Sequence, residues 1–234
     1  IQEKLAKELH RDQVERVTAD KPYIYGHGTH KVSLLDCGLK KNILVSLAKN
    51  DCTVTVYPCH TTAAEMLADN PDGIFLSPGP GDPLDVPYVI STVKELIGKK
   101  PIFGICLGIQ MLSLALGAHT FKLPFGHRGS NHPVKDLRTG RVYITSQNHG
   151  YAVSDEELPE CIEVTHRSVN DGTIEGFCHK TLPIQAVQYH PEASPGPTDN
   201  FYLFKEFVKA IARNLLELIM FSHWTFIMEI GYWM

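Results

Sequence analysis

The chain has 234 residues, of which 43% are hydrophobic and 21% charged, a composition typical of a globular protein with one large or two small domains. Its formal net charge of −4 gives no electrostatic reason to expect binding to nucleic acid or to an anionic membrane. The six cysteines form no CxxC pair, so we expect free thiols and a cytoplasmic location.

The N-terminal segment, residues 1–30, is charged and is predicted to be a marginal helix or a linker. Its first residues lack the apolar core of a signal peptide. Because the chain begins at Ile1, we expect it to be a fragment of something longer.

Between residues 31 and 117, apolar strand-like runs alternate four times with segments of helical periodicity. The predicted strands are 31–38, 52–58, 73–79 and 101–106, and the predicted helices are 39–50, 61–70, 87–100 and 107–117. Alternation with short loops favours an α/β fold, with an open, mostly parallel sheet and helices on both faces.

The second half contains short strands separated by turn residues, which predicts antiparallel additions to the sheet. An amphipathic helix is predicted over 199–214 and closes the domain that spans 31–213. The hydrophobic tail, 214–234, differs in composition from what precedes it and is of uncertain origin. As a membrane span it is poor, because Glu217, His223 and Glu229 interrupt it.

The pentapeptide GICLG places Cys106 between two glycines, where a predicted strand turns into a helix. This is the spacing of a nucleophile elbow, in which the corner side chain projects above the carboxyl edge of the sheet. The helix N-terminus would stabilise a thiolate there, and later an oxyanion. The alternative is a small cysteine buried in an ordinary core.

A second motif, VQYHPEASPGP, places His190 two residues before Glu192. Side chains at i and i+2 of an extended segment point the same way, so the carboxylate can hold the imidazole in one tautomer. Together with Cys106 they would form a base-activated nucleophile. The alternative is a histidine that ends a strand with its hydrogen bonds satisfied.

The loop SPGPGDP, 77–83, has two glycines between prolines, so its backbone can approach a ligand closely. Its N–H groups, with the amide of Leu107, could form an oxyanion hole, although a plain loop would also fit. In SQNHGYAV, Asn148 and the Gly150–Tyr151 backbone could bind a polar amino acid. His127 and His132 fit no zinc spacing, so we expect a structural loop over 125–133 and no metal.

Five motifs in order, DGIFLSPGPGDP, FGICLGIQML, FGHRGSNHPVKD, ITSQNHGYAV and HPEASPGPTD, resemble the class I glutamine amidotransferases. The motifs NHPV and HPEASPGP are most similar to those of the glutaminase subunits of carbamoyl-phosphate synthetases. The resemblance covers about residues 31–212.

This resemblance implies that Cys106 attacks the side-chain amide of glutamine to form a γ-glutamyl thioester. It implies that His190 acts as base and then as acid, oriented by Glu192. The backbone amides of Gly81 and Leu107 would bind the oxyanion. The implied glutamine-binding residues are Gly79, Gly81, Leu107, Gln110, Asn148, Gly150 and Tyr151.

The resemblance also implies a partner, a large synthetase subunit that receives ammonia and uses ATP, magnesium and bicarbonate; no cofactor is expected on this chain. The product would feed pyrimidine and arginine synthesis. The family's subunit has a further N-terminal domain, which this chain lacks. Two alternatives therefore stay open: a catalytically silent, partner-binding domain, and the glutaminase of another synthase.

Overall fold

The computed structural model describes residues 12–231, and the side chains of residues 12–217. Ten strands form one sheet: β1 (Tyr23–Tyr25), β2 (His30–Asp36), β3 (Cys52–Pro58), β4 (Gly73–Leu76), β5 (Ile102–Ile105), β6 (Thr120–Asp136), β7 (Val142–Val153), β8 (Ile162–Ser168), β9 (Ile174–His179) and β10 (Ile184–Val187). The α-helices are α1 (Lys41–Lys49), α2 (Ala63–Ala68), α3 (Pro87–Leu96), α4 (Leu107–Ala115) and α5 (Tyr202–Gly231), with 3-10 turns at Pro83–Asp85 and Asp199–Phe201.

The strand order is β1-β3-β2-β4-β5-β10-β9-β7-β6-β8. The five strands from β3 to β10 in this order are parallel to one another, and helices cover both faces. Helices α2, α3 and α4 pack on one face, and α1 and α5 on the other. The predicted α/β architecture is therefore confirmed.

The second half differs from the prediction in two respects. Strand β10, predicted as an antiparallel addition, runs parallel to β5 and antiparallel to β9. The predicted loop over 125–133 is wrong, because these residues belong to the 17-residue strand β6. Its pairing with β7 includes two register shifts, between Lys122 and His127 and between Gly129 and His132, so the strand is irregular.

Regular secondary structure extends beyond both bounds of the predicted domain, 31–213. Within the predicted N-terminal linker, β1 pairs antiparallel with β3 and forms one edge of the sheet. Helix α5 continues through residue 214 as far as Gly231, so it crosses the predicted start of the tail. Residues 1–11 and 232–234 lie outside the described part of the chain. No helix in the described part combines the length and hydropathy that crossing a membrane requires.

Local sequence explains the helix boundaries that lead to the site. Thr62 caps α2 in a reciprocal capping box with Glu65. Gly117 follows α4 at a φ of +96°, a conformation that glycine adopts without strain and that ends the helix.

An aromatic cluster joins α5 to the sheet. The Phe204 and Phe207 rings lie 6.3 and 5.9 Å from the Phe75 ring, centroid to centroid, and both also contact Phe103. All four side chains are fully buried. Helix α5 therefore depends on this cluster for its position beneath the strands that carry the site.

We expect Phe204→Ala to lower the free energy of unfolding by about 3–5 kcal/mol, because it removes a buried ring and leaves a cavity. Phe125, whose side chain is 92% exposed, provides the control: Phe125→Ala should change stability by less than about 0.5 kcal/mol. Urea unfolding of both variants measures the difference. Similar losses in the two variants would show that the aromatic cluster does not hold α5.

Candidate active site

Cys106 lies at the sharp turn between β5 and α4, with φ 55° and ψ −105°. A positive φ at a residue with a side chain is strained, and such strain is tolerated where the surrounding structure fixes it. Here the Cys106 N–H donates to the Val187 carbonyl of β10 at 2.9 Å. The side chain is only 3% exposed, yet it lines a cavity. The structure thus gives Cys106 the geometry predicted for an elbow nucleophile.

The glycines on either side let α4 pack directly against the sheet. A Cβ at Gly108 would lie 2.5 Å from the Leu76 carbonyl oxygen of β4. A Cβ at Gly104 would lie 2.9 Å from the backbone of Gly108 itself. Both contacts are shorter than a side chain allows, so the glycines are needed for the close approach that makes the turn sharp.

The glycine-rich loop after β4 lies against this turn. A Cβ at Gly79 would lie 2.3 Å from the Cys37 carbonyl oxygen and 2.6 Å from the Leu107 side chain. The buried Ser77 hydroxyl anchors the loop, accepting from Cys37 N and donating to the Pro78 carbonyl, each at 2.8 Å. Gly81 follows with a φ of +92° and lines the same cavity as Leu107.

His190 and Glu192 are paired, with Nδ1 and Oε1 2.7 Å apart. The strand predicted to reach His190 ends at Val187, and the His190 N–H donates instead to the Ser146 carbonyl of β7 at 2.9 Å. Burial opposes the charge on His190, but the Cys106 sulfur and the Glu192 carboxylate outweigh burial and raise the pKa of the imidazole to about 10. This geometry favours a charged His190 beside the sulfur.

Two residues that the sequence analysis missed hold the Glu192 segment. Lys40 Nζ lies 3.1 Å from Glu192 Oε1 and donates to the Ala193 carbonyl at 2.7 Å. The Asn42 side-chain amide donates to the Glu192 carbonyl. Burial opposes ionisation of the fully buried Glu192, but His190 and then Lys40 outweigh it and lower its pKa. Lys40 follows β2 at the carboxyl edge of the sheet, the position that could have identified it.

Three of the residues predicted to hold the substrate lie on the cavity wall formed by β7: Asn148, Gly150 and Tyr151. The Asn148 carbonyl lies 3.9 Å from Cys106 Sγ. Gln110 is buried in α4, and its Nε2 donates to the Tyr151 carbonyl at 2.8 Å and to Gln188 Oε1 at 3.0 Å. Gln110 thus holds the Tyr151 backbone of β7 in place as well as lining the cavity.

The cavity has a volume of about 580 Å³. Every predicted site residue except Glu192 lines it, and Glu192 lies behind His190. Arg128, His149 and the Gly38–Lys40 loop, which the sequence analysis did not assign, line it too. The chemical roles of the individual residues stay predictions, but their convergence is a property of the structure.

Three side chains beside the cavity could hold a metal ion: His127, His149 and Glu175, whose ligand atoms lie within 4.8 Å of one another. His132, the other histidine considered from the sequence, lies outside this group and contacts the Arg128 carbonyl. The ring nitrogens of His127 and His149 all have hydrogen-bond partners already. This arrangement is that of a hydrogen-bonded network, and the absence of a metal stays a prediction.

A strained cysteine at a strand-to-helix turn, next to a paired histidine and glutamate on an open parallel sheet, defines a class of α/β enzymes that use a base-activated thiol. Residues 33–210 match the model of the family described as glutamine amidotransferase class-I. The chain belongs to this family.

Within this family, the chain is similar to curated proteins that share one name. The chain is 58% identical over 185 residues to the carbamoyl phosphate synthase small chain of Akkermansia muciniphila, covering 79% of this chain and 50% of that protein. It is 55% identical over 202 residues to the Staphylococcus haemolyticus small chain, covering 86% and 55%. The Clostridium perfringens small chain is 54% identical over 210 residues, covering 89% and 59%. The chain thus spans between half and three fifths of the length of these relatives.

Solved structures are similar in fold. A glutamine amidotransferase from Thermotoga maritima superposes with a TM-score of 0.59 at 17% identity, covering 82% of this chain and 86% of that one. A protein from Thermoplasma acidophilum, described as part of a GMP synthase, superposes with a TM-score of 0.71 at 24% identity, covering 82% and 99%.

We expect Gly108→Ala to displace α4 from β4, because the added methyl would lie 2.5 Å from a backbone oxygen that cannot move freely. The protein should lose about 1–3 kcal/mol of stability and most of the reactivity of the Cys106 thiol. Thermal unfolding and iodoacetamide modification of Cys106 measure the two effects. A variant with the parent's stability and Cys106 reactivity would show that the close packing does not set the elbow.

Proposed function

We propose that this chain is the glutaminase component of a carbamoyl phosphate synthase, hydrolysing glutamine and passing ammonia to a large synthetase subunit. The observation that carries the proposal is that Cys106 and His190 line one cavity, with Glu192 paired to His190 from behind. Identity of 54–58% to proteins named carbamoyl phosphate synthase small chain supports the choice of synthase.

The first half of the reaction forms a thioester. His190 carries the proton given up by the Cys106 thiol, and the sulfur attacks the amide carbon of the glutamine side chain as a thiolate. The carbonyl oxygen becomes an oxyanion, which the backbone N–H groups of Gly81 and Leu107 stabilise, aided by the N-terminus of α4. His190 then returns its proton to the amide nitrogen, and the C–N bond breaks to release ammonia.

The second half reverses these roles. A water molecule loses a proton to His190 and attacks the thioester carbon. The sulfur leaves as a thiolate beside the protonated His190, and glutamate departs. Glu192, held by Lys40, keeps the imidazole turned toward the sulfur through both halves.

Glutamine itself fits the polarity of the cavity. Its α-amino and α-carboxylate groups would meet the backbone of Gly150–Tyr151 and the loop at Gly79, with Gln110 and Asn148 completing the wall. A neutral side-chain amide would then reach Cys106. The cavity volume of about 580 Å³ is sufficient for an amino acid with ordered water.

The partner in this proposal is the large subunit, which would bind ATP, magnesium and bicarbonate and consume the ammonia. This chain then needs no cofactor of its own. The six cysteines are all free, as expected in the reducing cytoplasm, where we propose that the complex works.

The test is ammonia release from glutamine by the full chain, measured with and without the large subunit of a carbamoyl phosphate synthase. Cys106→Ser should abolish release, because a serine in this position lacks the stabilised thiolate. Cys161→Ser is the matched control: its thiol is free and half-buried away from the cavity, so release should be unchanged.

The outcomes separate the candidate functions. Stimulation by the large subunit supports the carbamoyl phosphate assignment, whereas release without stimulation points to another synthase. A folded parent chain that releases no ammonia in either condition would contradict the proposal and favour a silent, partner-binding domain.

A separate prediction concerns Glu192→Gln, which keeps the size of the side chain and removes its charge. Turnover should fall by up to about 10²-fold, part of what a positioned general base contributes, while the KM for glutamine changes little. The pKa of His190, read by NMR titration of its ring, should fall because a charged partner is lost. Glu95→Gln, on the exposed face of α3, should change neither quantity. An unchanged turnover number in Glu192→Gln would remove Glu192 from the catalytic set.

A further inference from the structure

A chain of hydrogen-bonded polar side chains runs from the surface to the cavity, across β6, β7 and the start of β9. Its members are His127, Gln147, His149, Asp171 and Glu175, all buried except Asp171. Glu175 is fully buried, and Gln147 is 3% exposed. None of these five side chains has a part in the reaction steps proposed above.

The outer half of this hydrogen-bonded chain consists of Asp171, His127 and Glu175, in order from the surface inward. Asp171 Oδ2 lies 2.7 Å from His127 Nε2, and His127 Nδ1 lies 3.2 Å from Glu175 Oε1. Because both ring nitrogens of His127 face carboxyl oxygens, both carry protons. The bond to Glu175, followed by that to Asp171, outweighs burial and raises the pKa of His127 to about 9.

The inner half of this hydrogen-bonded chain runs from Glu175 to His149 and reaches the part of β7 that lines the cavity. The second oxygen of Glu175 lies 3.0 Å from the Gln147 side-chain amide, and the other end of that amide lies 2.6 Å from His149 Nε2. His149 Nδ1 lies 2.8 Å from the Tyr151 carbonyl oxygen. That oxygen also accepts from Gln110.

Counting donors and acceptors fixes the number of protons. The Tyr151 carbonyl can only accept, so His149 Nδ1 carries a proton. If His149 is neutral, its Nε2 must accept, so Gln147 turns its NH2 toward His149 and its oxygen toward Glu175. Two oxygens 3.0 Å apart then need a proton between them, and Glu175 must be a carboxylic acid.

The opposite orientation of Gln147 gives the same count. If the Gln147 NH2 donates to an ionised Glu175, its oxygen faces His149 Nε2, which must then carry a second proton. The Thr145 hydroxyl donates to the His132 carbonyl at 2.8 Å, and its oxygen, 3.3 Å from the same amide, accepts from the Gln147 NH2 in this second orientation. Either way, the pair holds one proton more than a neutral imidazole with a carboxylate.

Burial decides where this proton resides. It lowers the pKa of His149 to about 3 and raises that of Glu175, so the proton resides on Glu175. The ionisable groups facing the pair from the surrounding elements are His127, His132, Asp171, Tyr189 and His190.

We propose that Glu175 and His149 hold one proton in common through Gln147, and that this proton positions the Gly150–Tyr151 backbone of β7 for glutamine binding. Glu175 and Gln147 are therefore positioning residues, acting through His149. The inference rests on the proposed function, because it assumes that glutamine occupies the cavity.

The decisive variant is Glu175→Gln, which supplies the missing donor without a titratable proton. Its NH2 can donate to the Gln147 oxygen at every pH, so the KM for glutamine should stay within about twofold of the parent at neutral pH. Glu175→Ala leaves Gln147 and His127 unpaired, and the KM should rise by about tenfold or more, with a smaller change in kcat.

The pH profile separates this role from a merely structural one. In the parent, the KM for glutamine should rise as the pH rises through the raised pKa of the pair, because the proton that orders the network is lost. That limb should be absent in Glu175→Gln and present in Glu163→Gln, an exposed control on β8. An identical limb in Glu175→Gln, or a KM as poor as that of Glu175→Ala, would overturn the proposal.

A direct reading of the proton needs no substrate. Infrared spectra of the folded chain should show a carboxylic acid band that shifts in D2O, remains in Glu163→Gln and is lost in Glu175→Gln. If no such band appears, and the His149 ring is neutral by nitrogen NMR, the proposal fails even where glutamine is hydrolysed. Stoichiometric metal on His127, His149 and Glu175 would also overturn it, since a ligated Nε2 cannot bond to Gln147. If hydrolysis is absent but the band is present, only the proposed function fails.

Discussion

The strained turn at Cys106 is the constraint on which the rest of the site depends. A positive φ at a residue with a side chain costs energy, and that cost is met by packing around the turn. Gly104 and Gly108 let α4 approach β4 to backbone contact, and the Val187 carbonyl fixes the Cys106 amide. Because the helix begins directly after the turn, its free N–H groups lie beside the sulfur. One backbone geometry therefore places the thiol both at the cavity and beside the start of the helix.

The partner side chains reach this turn from distant parts of the sequence. His190 and Glu192 follow β10, which lies next to β5 because it is parallel to that strand. Lys40 and Asn42 come from the other side of the sheet, after β2, and hold the Glu192 segment by an ion pair and backbone contacts. The residues that follow the carboxyl ends of β2, β5 and β10 thus come together at one edge of the sheet. A buried carboxylate here stays ionised because two cations face it.

The antiparallel half of the sheet forms the wall opposite the nucleophile. Strand β7 presents Asn148, Gly150 and Tyr151 to the cavity, and β6 and β9 support it from behind with buried polar groups. A buried network of this kind holds one geometry only while every donor and acceptor is paired. Its protonation is therefore linked to the shape of the wall, although it lies outside the reacting atoms.

The sequence by itself determined the alternation of strands and helices, the Cys106 turn and the pairing of His190 with Glu192. These are local properties: hydrophobic period, glycine spacing and an i, i+2 relationship. The tertiary structure alone decided the parallel direction of β10, the strand character of 125–133 and the contact of Lys40 with Glu192. Glycines and a proline in 125–133 indicate a loop locally, whereas pairing with β7 across two register shifts overrides them. Contacts between residues some 150 positions apart, such as Lys40 and Glu192, leave no periodic signal, because only the order of strands in the sheet brings them together.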